Sequence, residues 1–255
     1  MASEPTTSAE QPVVEFGPVP AANRFGTALP RVSTGLLGLG VLLILAMHVL
    51  PPSNQISPWR RTISEYALGS TGWVFDTGVL ALAVGSLGVL AALARARVVK
   101  PLGAAAVLMF LWAFGLVLIV VFEKYNYRMD GGVGASGTIH RLATLVSFLS
   151  LPAAGLIAAG AGAGRPAWRR AAAWTRWTSV ASWLCLGLLF YAIGYGVVTH
   201  ERWWQVFPLG GLERLIAAAE IVLLFVLARW ALLAGRSAAL ADPVGDRRGG
   251  TPLVQ

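Results

Sequence analysis

Long apolar stretches alternate with short polar segments along most of the chain. Six of these stretches are about 20 residues long, which matches the thickness of a hydrocarbon core. Each is predicted to be an α-helix, because lipid leaves no other way to satisfy the backbone of separate spans. The predicted fold class is therefore all-α, a polytopic membrane protein built as a six-transmembrane-helix bundle. The predicted spans are approximately 34–52, 72–94, 101–123, 138–163, 176–199 and 210–235.

The two ends of the chain lack this pattern. Residues 1–32 and 237–255 carry few clustered apolar side chains, so burial there cannot offset the entropy lost on ordering. We expect them to be disordered cytoplasmic tails that flank one transmembrane domain at 33–236. The N-terminus has no basic segment followed by a short apolar one, so the first span is interpreted as an uncleaved anchor.

Composition supports the membrane interpretation and narrows the function classes. With 56% hydrophobic and 13% charged residues and a mean hydropathy of +0.66, the chain is too apolar for an ordinary soluble domain. The net charge of +8 could indicate a nucleic-acid partner. The arginines, however, form short clusters between spans, where they orient a membrane protein and contact anionic headgroups, so no nucleic-acid partner is expected.

Basic residues also predict the orientation. Twelve Lys and Arg lie on the side of the termini and seven on the other side, with Arg229 inside the last span. Because cytoplasmic loops carry the excess of positive charge, both termini are predicted to be cytoplasmic, in the inner membrane of a bacterium. Tryptophans at the span ends are predicted to form interfacial belts, Trp59, Trp73, Trp203 and Trp204 outside and Trp168, Trp174, Trp177 and Trp230 inside.

Small residues predict how some helices pack. Gly78, Ala81, Gly85 and Gly88 recur on one face of the second span. Such a seam allows close approach of a neighbouring helix in lipid. We expect the same of Gly187 and Gly194 in the fifth span.

Polar residues gather on the outer side. The acidic residues between the tails and all three histidines lie in outer loops or in the outer parts of spans. Ionisable groups at such depths are costly, so each is a functional-site hypothesis. They are Glu65, Asp76, Glu123, Asp130, Glu201, Glu213 and Glu220, with His48, His140 and His200.

Spacing places several of these residues on shared helix faces. His140, Thr144 and Ser147 recur at i, i+4 and i+7, and Tyr191 and Tyr195 form a similar ladder. Glu220 lies seven residues after Glu213, roughly 10 Å deeper in the membrane. With Asp76, these groups are expected to line a cavity that opens outward. The competing interpretation is structural, with polar side chains that cap helices and bond loops.

Metal and nucleophile chemistry have weaker signals. His48, His140 and His200 are weak candidates for a metal site, since no HExxH or similarly spaced pair is present. Ser64 precedes Glu65, but no GxSxG elbow surrounds it. We therefore expect no metal site and no cofactor.

Three short motifs carry a family resemblance. They are ISEYA at 63–67, His140 with Ser147 and Phe148 in the fourth span, and GLER at 211–214. With these motifs the chain resembles the bacterial and archaeal membrane proteins catalogued as domain of unknown function nine-nine-eight, over about residues 34–235. The resemblance implies a six-helix bundle and no particular reaction. It draws attention to Ser64, Glu65, His140, Glu213 and Arg214.

The one-sided polar cluster favours a protein that binds or moves a lipid-like or cell-envelope molecule through an outward-facing polar pocket. Membrane lipids and a lipophilic small molecule are then the expected partners. The candidate binding residues are Ser64, Glu65, Thr144, Ser147, Tyr191, Tyr195 and Arg214.

Two other function classes stay open. One is a membrane-embedded enzyme that uses carboxylate and histidine acid–base or metal chemistry on a lipophilic substrate, with Asp76, His140, Glu213 and Glu220 as catalytic candidates. The other is a small structural subunit whose glycine seam packs against a partner protein's helix.

Overall fold

The computed structural model describes residues 22–124 and 134–241. Within these residues the secondary structure is helical, without strands. Six of the α-helices are long and apolar enough to cross a membrane, which confirms the predicted fold class. The α-helices are α1 (Ala22–Ala46), α2 (Gly72–Arg95), α3 (Ala104–Val121), α4 (Ala135–Ala163), α5 (Arg169–Thr199), α6 (Trp203–Val206) and α7 (Leu209–Ala241).

The helices extend beyond several predicted spans. Helix α1 begins at Ala22, so the predicted tail boundary at residue 32 lies inside a helix that continues through Pro30. Helix α7 similarly continues to Ala241. Hydropathy marks only the part of a helix that lies in hydrocarbon, whereas the backbone continues its own hydrogen bonds into the headgroup region. The rest of both predicted tails lies outside the described residues.

Helix α7 occupies the centre of the bundle. It packs against α1, α2, α4 and α5, while α5 packs mainly against α4 and α7. The core is aliphatic, with Leu223, Leu224 and Leu227 of α7 fully buried. Helix α5 therefore presents a wide apolar face outward, where lipid would cover it.

The glycine seam of α2 faces α1, which confirms the predicted close approach of a neighbouring helix. A Cβ at Gly78 would lie 3.2 Å from the carbonyl oxygen of Gly40, and one at Gly85 would lie 3.1 Å from the carbonyl oxygen of Ser33. Side chains at these positions would force the two helices apart. The same expectation for Gly187 and Gly194 is wrong, because nothing lies within 4 Å of a Cβ at either one. Both lie on the outward face of α5.

The two ends of the bundle differ in charge. We call the end where α1, α3 and α5 finish the polar end, and the opposite end the basic end. Within the described residues, no Asp or Glu lies at the basic end, which carries Arg31, Arg95, Arg97, Lys100, Arg165, Arg169, Arg170, Arg176 and Arg236. Tryptophans are exposed at both ends, including Trp59, Trp73 and Trp204 at one and Trp174 and Trp177 at the other. Trp230 is instead buried, so its place in a lipid-facing belt is wrong.

Candidate functional site

Two motifs far apart in the sequence meet at the polar end. Residues Ile63–Leu68 form a 3-10 helix before α2, and the GLER motif lies in the first turn of α7. The backbone N–H of Ile63 donates a hydrogen bond to Oε2 of Glu213 at 2.9 Å. Glu213 therefore satisfies a backbone donor that opens the short helix, as a capping carboxylate does.

Arg214 joins the same two segments through its whole guanidinium group. Five acceptors lie 2.7 to 3.1 Å from its nitrogens. Nε and Nη2 each donate to a side chain, and the two hydrogens of Nη1 are shared among three backbone carbonyls, which uses the fixed fork of donors that arginine offers. The acceptors are the carbonyl oxygens of Pro58, Arg61 and Gly210, the hydroxyl of Tyr66, and Nε2 of His48.

His48 is held at both ring nitrogens. Nε2 accepts from Arg214 at 2.9 Å, so the hydrogen lies on Nδ1, which donates to the carbonyl oxygen of Ile44 at 3.1 Å. The ring also contacts the Tyr66 ring edge-on, with centroids 5.2 Å apart. Neither nitrogen is free to bind a metal ion, so the side chain connects the end of α1 to α7.

Glu65 forms the second half of this network. Its carboxylate accepts from Nε of Arg61 at 2.7 Å and from Nζ of Lys124 at 3.1 Å. Lys124, which follows α3, also donates to the hydroxyl of Thr62. Ser64 is buried, with its hydroxyl 3.4 Å from that of Thr62. The network thus ties the 57–71 segment to the end of α3.

A cleft opens beside this network. Its volume is about 500 Å³. We call it the Trp59 cleft, and its lining is apolar except for Arg214. A Cβ at Gly211 would lie 2.8 Å from the Trp59 ring, so this glycine lets the ring lie against α7. The lining residues are Pro58, Trp59, Pro208, Gly211, Leu212, Arg214 and Leu215.

The His140 stripe lies elsewhere, between α3 and α4. Nδ1 of the buried His140 donates to the carbonyl oxygen of Phe122 at 2.9 Å. Ser147 donates to the carbonyl oxygen of Trp112 at 3.3 Å. Thr144 donates to the carbonyl oxygen of His140 in its own helix. His140 and Ser147 therefore fasten α4 to α3.

Glu220 is the most deeply buried acidic residue among those described. It is 0% exposed, and neither carboxylate oxygen has a hydrogen-bond partner. It lies on α7 three residues before Leu223, which contacts α4 at Gly155. Asp76 is half-buried near the start of α2. Asp130 lies outside the described residues.

The tyrosine ladder lies at the exposed end of α5. Tyr191 and Tyr195 both contact the Phe207 ring edge-on. The Tyr195 hydroxyl donates to Oε2 of Glu201 at 3.3 Å. His200 is exposed with a φ of 59°, as the residue that ends α5. This group covers the α5–α7 connection and does not reach His140.

The predicted site therefore separates into parts. Ser64, Glu65, Glu213 and Arg214 come together at the polar end. His140 and Ser147 bond to α3 and its end, Thr144 bonds within α4, and Glu220 lies deeper on α7. No hydrogen bond among the described residues joins Asp76, His140 and Glu220: His140 bonds to the carbonyl oxygen of Phe122, and neither carboxylate oxygen of Glu220 has a partner. Among the described residues, no group of three or more His, Cys, Asp or Glu side chains could hold a metal ion.

Sequence reasoning missed several residues that the geometry makes important. Trp59 was assigned only to an interfacial belt, although it forms one wall of the cleft. Lys124 and Tyr66 were not singled out, because their partners are distant in sequence. In the sequence, Lys124 and Tyr66 stand out only as polar residues close to the ends of apolar spans. Many loop residues share this feature.

A comparison with protein families gives one match. The model described as "Protein of unknown function (DUF998)" matches residues 36–230. No curated protein matches the chain, and no solved structure does.

Proposed function

The chain belongs to the DUF998 family of proteins of unknown function, and from this premise we propose that it binds a lipid-like or cell-envelope molecule in the Trp59 cleft. The single observation that carries the proposal is an apolar cleft of about 500 Å³ at the polar end of a membrane bundle. Clefts of several hundred Å³ with apolar walls and few polar groups are typical of small-molecule sites.

The lining favours an acyl or isoprenoid chain as the occupant. Trp59 and Leu215 expose 68% and 45% of their surfaces, so a chain that lies between them would remove apolar area from water and headgroups. Each buried methylene contributes about 0.8 kcal/mol. The Arg214 guanidinium is already hydrogen-bonded to acceptors within the protein, so it contributes to the shape of the cleft and not to ligand binding. Most of the affinity is therefore expected from the apolar part of the ligand.

Exposed arginines at the edge of the Trp59 cleft favour an anionic headgroup. Arg60 is exposed next to Trp59 and donates to the carbonyl oxygen of Gln205 at 2.9 Å, which leaves further guanidinium donors for a ligand. Arg202 is also exposed at this end. Guanidinium groups pair well with phosphate oxygens. An anionic lipid with its chain in the cleft and its headgroup at Arg60 satisfies both features.

The orientation of the protein in the membrane is also part of the proposal. The basic end carries most of the described cations, which supports a cytoplasmic location for that end and for both termini. The Trp59 cleft would then open at the outer leaflet of the bacterial inner membrane.

Lipid binding by purified variants tests the proposal. Native mass spectrometry with phosphatidylglycerol should show affinity about tenfold weaker for Trp59→Ala, because one aromatic wall is lost. Leu215→Trp should also weaken binding, since the larger side chain fills the cleft. Trp73→Ala is the matched control, because Trp73 is also 68% exposed at the same end but lies outside the cleft.

Two further variants distinguish binding in the Trp59 cleft from binding in the pocket expected from the sequence. If the ligand occupied a pocket near His140 and Glu220, His140→Ala and Glu220→Gln would weaken binding. The cleft geometry predicts no effect of either. Equal affinity for Trp59→Ala and Trp73→Ala would overturn the proposal, and equal affinity for phosphatidylglycerol and phosphatidylcholine would overturn the role of Arg60.

A further inference from the structure

Helices α4, α5 and α7 interlock in a regular register. A Cβ at Gly162 of α4 would contact the Trp230 ring of α7 and lie 3.4 Å from Cβ of Ala172 of α5. The same three helices meet again seven residues away, at Gly155, Leu223 and Ser179. Seven residues are two helical turns, so successive contacts fall on the same face of each helix.

With this register, the residues of α4, α5 and α7 that lie one helical turn closer to the polar end form the next layer of side chains. A step of three residues on each helix, about 4.5 Å, leads from Gly155, Ser179 and Leu223 to Pro152, Ser182 and Glu220. All three of these residues are buried. Their layer lies near the middle of each span, where water does not reach a carboxylate unless protein provides for it.

Two serine hydroxyl groups of α5, those of Ser179 and Ser182, can act as acceptors in or beside this layer. Ser182 donates to the carbonyl oxygen of Thr178 at 3.0 Å, and Ser179 donates to that of Thr175 at 2.7 Å. Since each hydroxyl has one hydrogen, each can only accept from any further partner. Both side chains are 0% exposed. The Ser179 hydroxyl faces Gly155 of α4, and Ser182 lies one helical turn closer to the polar end.

Helix α4 supplies another acceptor in the same layer. Pro152 lies inside α4 and has no backbone N–H, so the carbonyl oxygen of Phe148 lacks its helical donor. Carbonyl groups point toward the C-terminal end of a helix, which directs this oxygen from Phe148 toward the Pro152 layer. Freed carbonyls in interrupted membrane helices are characteristic ligands of small cations.

Among the described residues, no hydrogen-bond donor pairs with the Glu220 carboxylate. Both Glu220 oxygens are unpartnered, and so is the indole N–H of Trp183, the residue after Ser182. Charged groups on the helices packed against α7 lie outside this layer. His140 is twelve residues, about 18 Å, from Pro152 along α4, and Asp76, Arg95 and Arg31 lie near the ends of α2 and α1. On α5 the nearest titratable group is Cys185. On α7 itself Glu213 and Arg214 lie near the start, and the exposed Arg229 lies nine residues, about 13.5 Å, beyond Glu220.

We propose that this layer is an exchangeable binding site for a small monovalent cation, a proton or sodium, held by the Glu220 carboxylate with Ser182 and the carbonyl oxygen of Phe148. One positive charge neutralises one carboxylate, and oxygen ligands suit both ions. The site is separate from the Trp59 cleft and does not depend on lipid binding there.

Infrared difference spectroscopy on the protein in lipid tests this site. Exchange of the buffer between about pH 5 and pH 9, with sodium or with choline, should convert a protonated-carboxyl band into carboxylate bands. The band should vanish in Glu220→Gln and persist in Glu201→Gln, the matched control at an exposed carboxylate. Conversion by pH alone identifies a proton, and conversion by sodium at constant pH identifies sodium.

Two more variants keep the test independent of one substitution. Glu220→Asp should move the band instead of removing it. Ser182→Ala should weaken cation binding by about tenfold, because one oxygen ligand is lost. A Glu220-dependent band that responds to neither pH nor sodium would overturn the proposal, as would the absence of any Glu220-dependent band. An unchanged midpoint in Ser182→Ala would overturn the assignment of the ligands.

Discussion

At the scale of single residues, Arg214 shows how a charged side chain can serve the fold. It lies in the first turns of a membrane helix, where an unpaired guanidinium would be expensive. Its donors instead meet carbonyl oxygens of the 58–61 segment, and Nε meets His48. These loop carbonyls have no helical partners, so the arginine satisfies them and fixes the loop that forms the cleft.

Arg214→Lys should lower stability markedly. A lysine keeps the charge but cannot reproduce the planar fork, so several carbonyl groups lose their donor. We expect a loss of about 2 kcal/mol or more, seen as a lower midpoint of thermal unfolding by tryptophan fluorescence in detergent.

The control for this prediction is Arg60→Lys. The Arg60 side chain is exposed and donates to the carbonyl oxygen of Gln205, so a change within about 0.5 kcal/mol is expected. Equal shifts for the two variants would contradict a special role of Arg214.

At the scale of elements, contact between α1 and α2 depends on missing side chains. Gly40 of α1 lies against Gly78 of α2, and a Cβ at Gly40 would lie 2.6 Å from the Gly78 carbonyl oxygen and 2.7 Å from Cγ of Leu82. The backbone would have to move, because a carbonyl cannot rotate away as a flexible side chain does. Close backbone approach contributes to helix association where lipid removes the hydrophobic driving force.

Gly40→Ala should therefore destabilise the bundle by about 1–3 kcal/mol. Gly38→Ala is the matched control on the same helix, since nothing lies within 4 Å of a Cβ there. Alanine at residue 38 should be neutral or slightly stabilising, because it forms helices better than glycine. Unfolding in mixed detergent micelles measures both variants, and similar losses of stability would refute the close contact.

At the scale of the whole molecule, charge is distributed along the bundle axis. The basic end has cations without described acidic partners, and the polar end has acidic residues within hydrogen-bonded networks. This asymmetry matches the bias that orients membrane proteins during insertion. It places the Trp59 cleft on the side opposite to the termini.

Reporter fusions in a bacterial host measure this orientation. Green fluorescent protein fused after Gln255 should fluoresce, because the C-terminus is expected in the cytoplasm. Alkaline phosphatase fused after His200 should be active, because five spans would precede it. The inverse pattern, with active phosphatase at the C-terminus, would reverse the orientation and place the cleft at the cytoplasmic surface.

The sequence alone determined the helical architecture, the approximate spans and the α2 seam. Hydropathy and side-chain size act over neighbouring turns of one helix, so they can be read locally. Through the family motifs it also drew attention to Glu65, Glu213 and Arg214, which the structure brings together at the polar end. It predicted a shared cavity for His140 and Glu220 because both are polar residues in spans.

Only the tertiary structure decided which polar groups meet. Arg214 and His48 are 166 positions apart, and nothing in either local pattern indicates the other. Helix rotation decides the direction of a side chain, and it is fixed by packing against all neighbours together. It turned His140 toward a carbonyl of Phe122 and left Glu220 without a partner, two outcomes for residues that hydropathy treats alike.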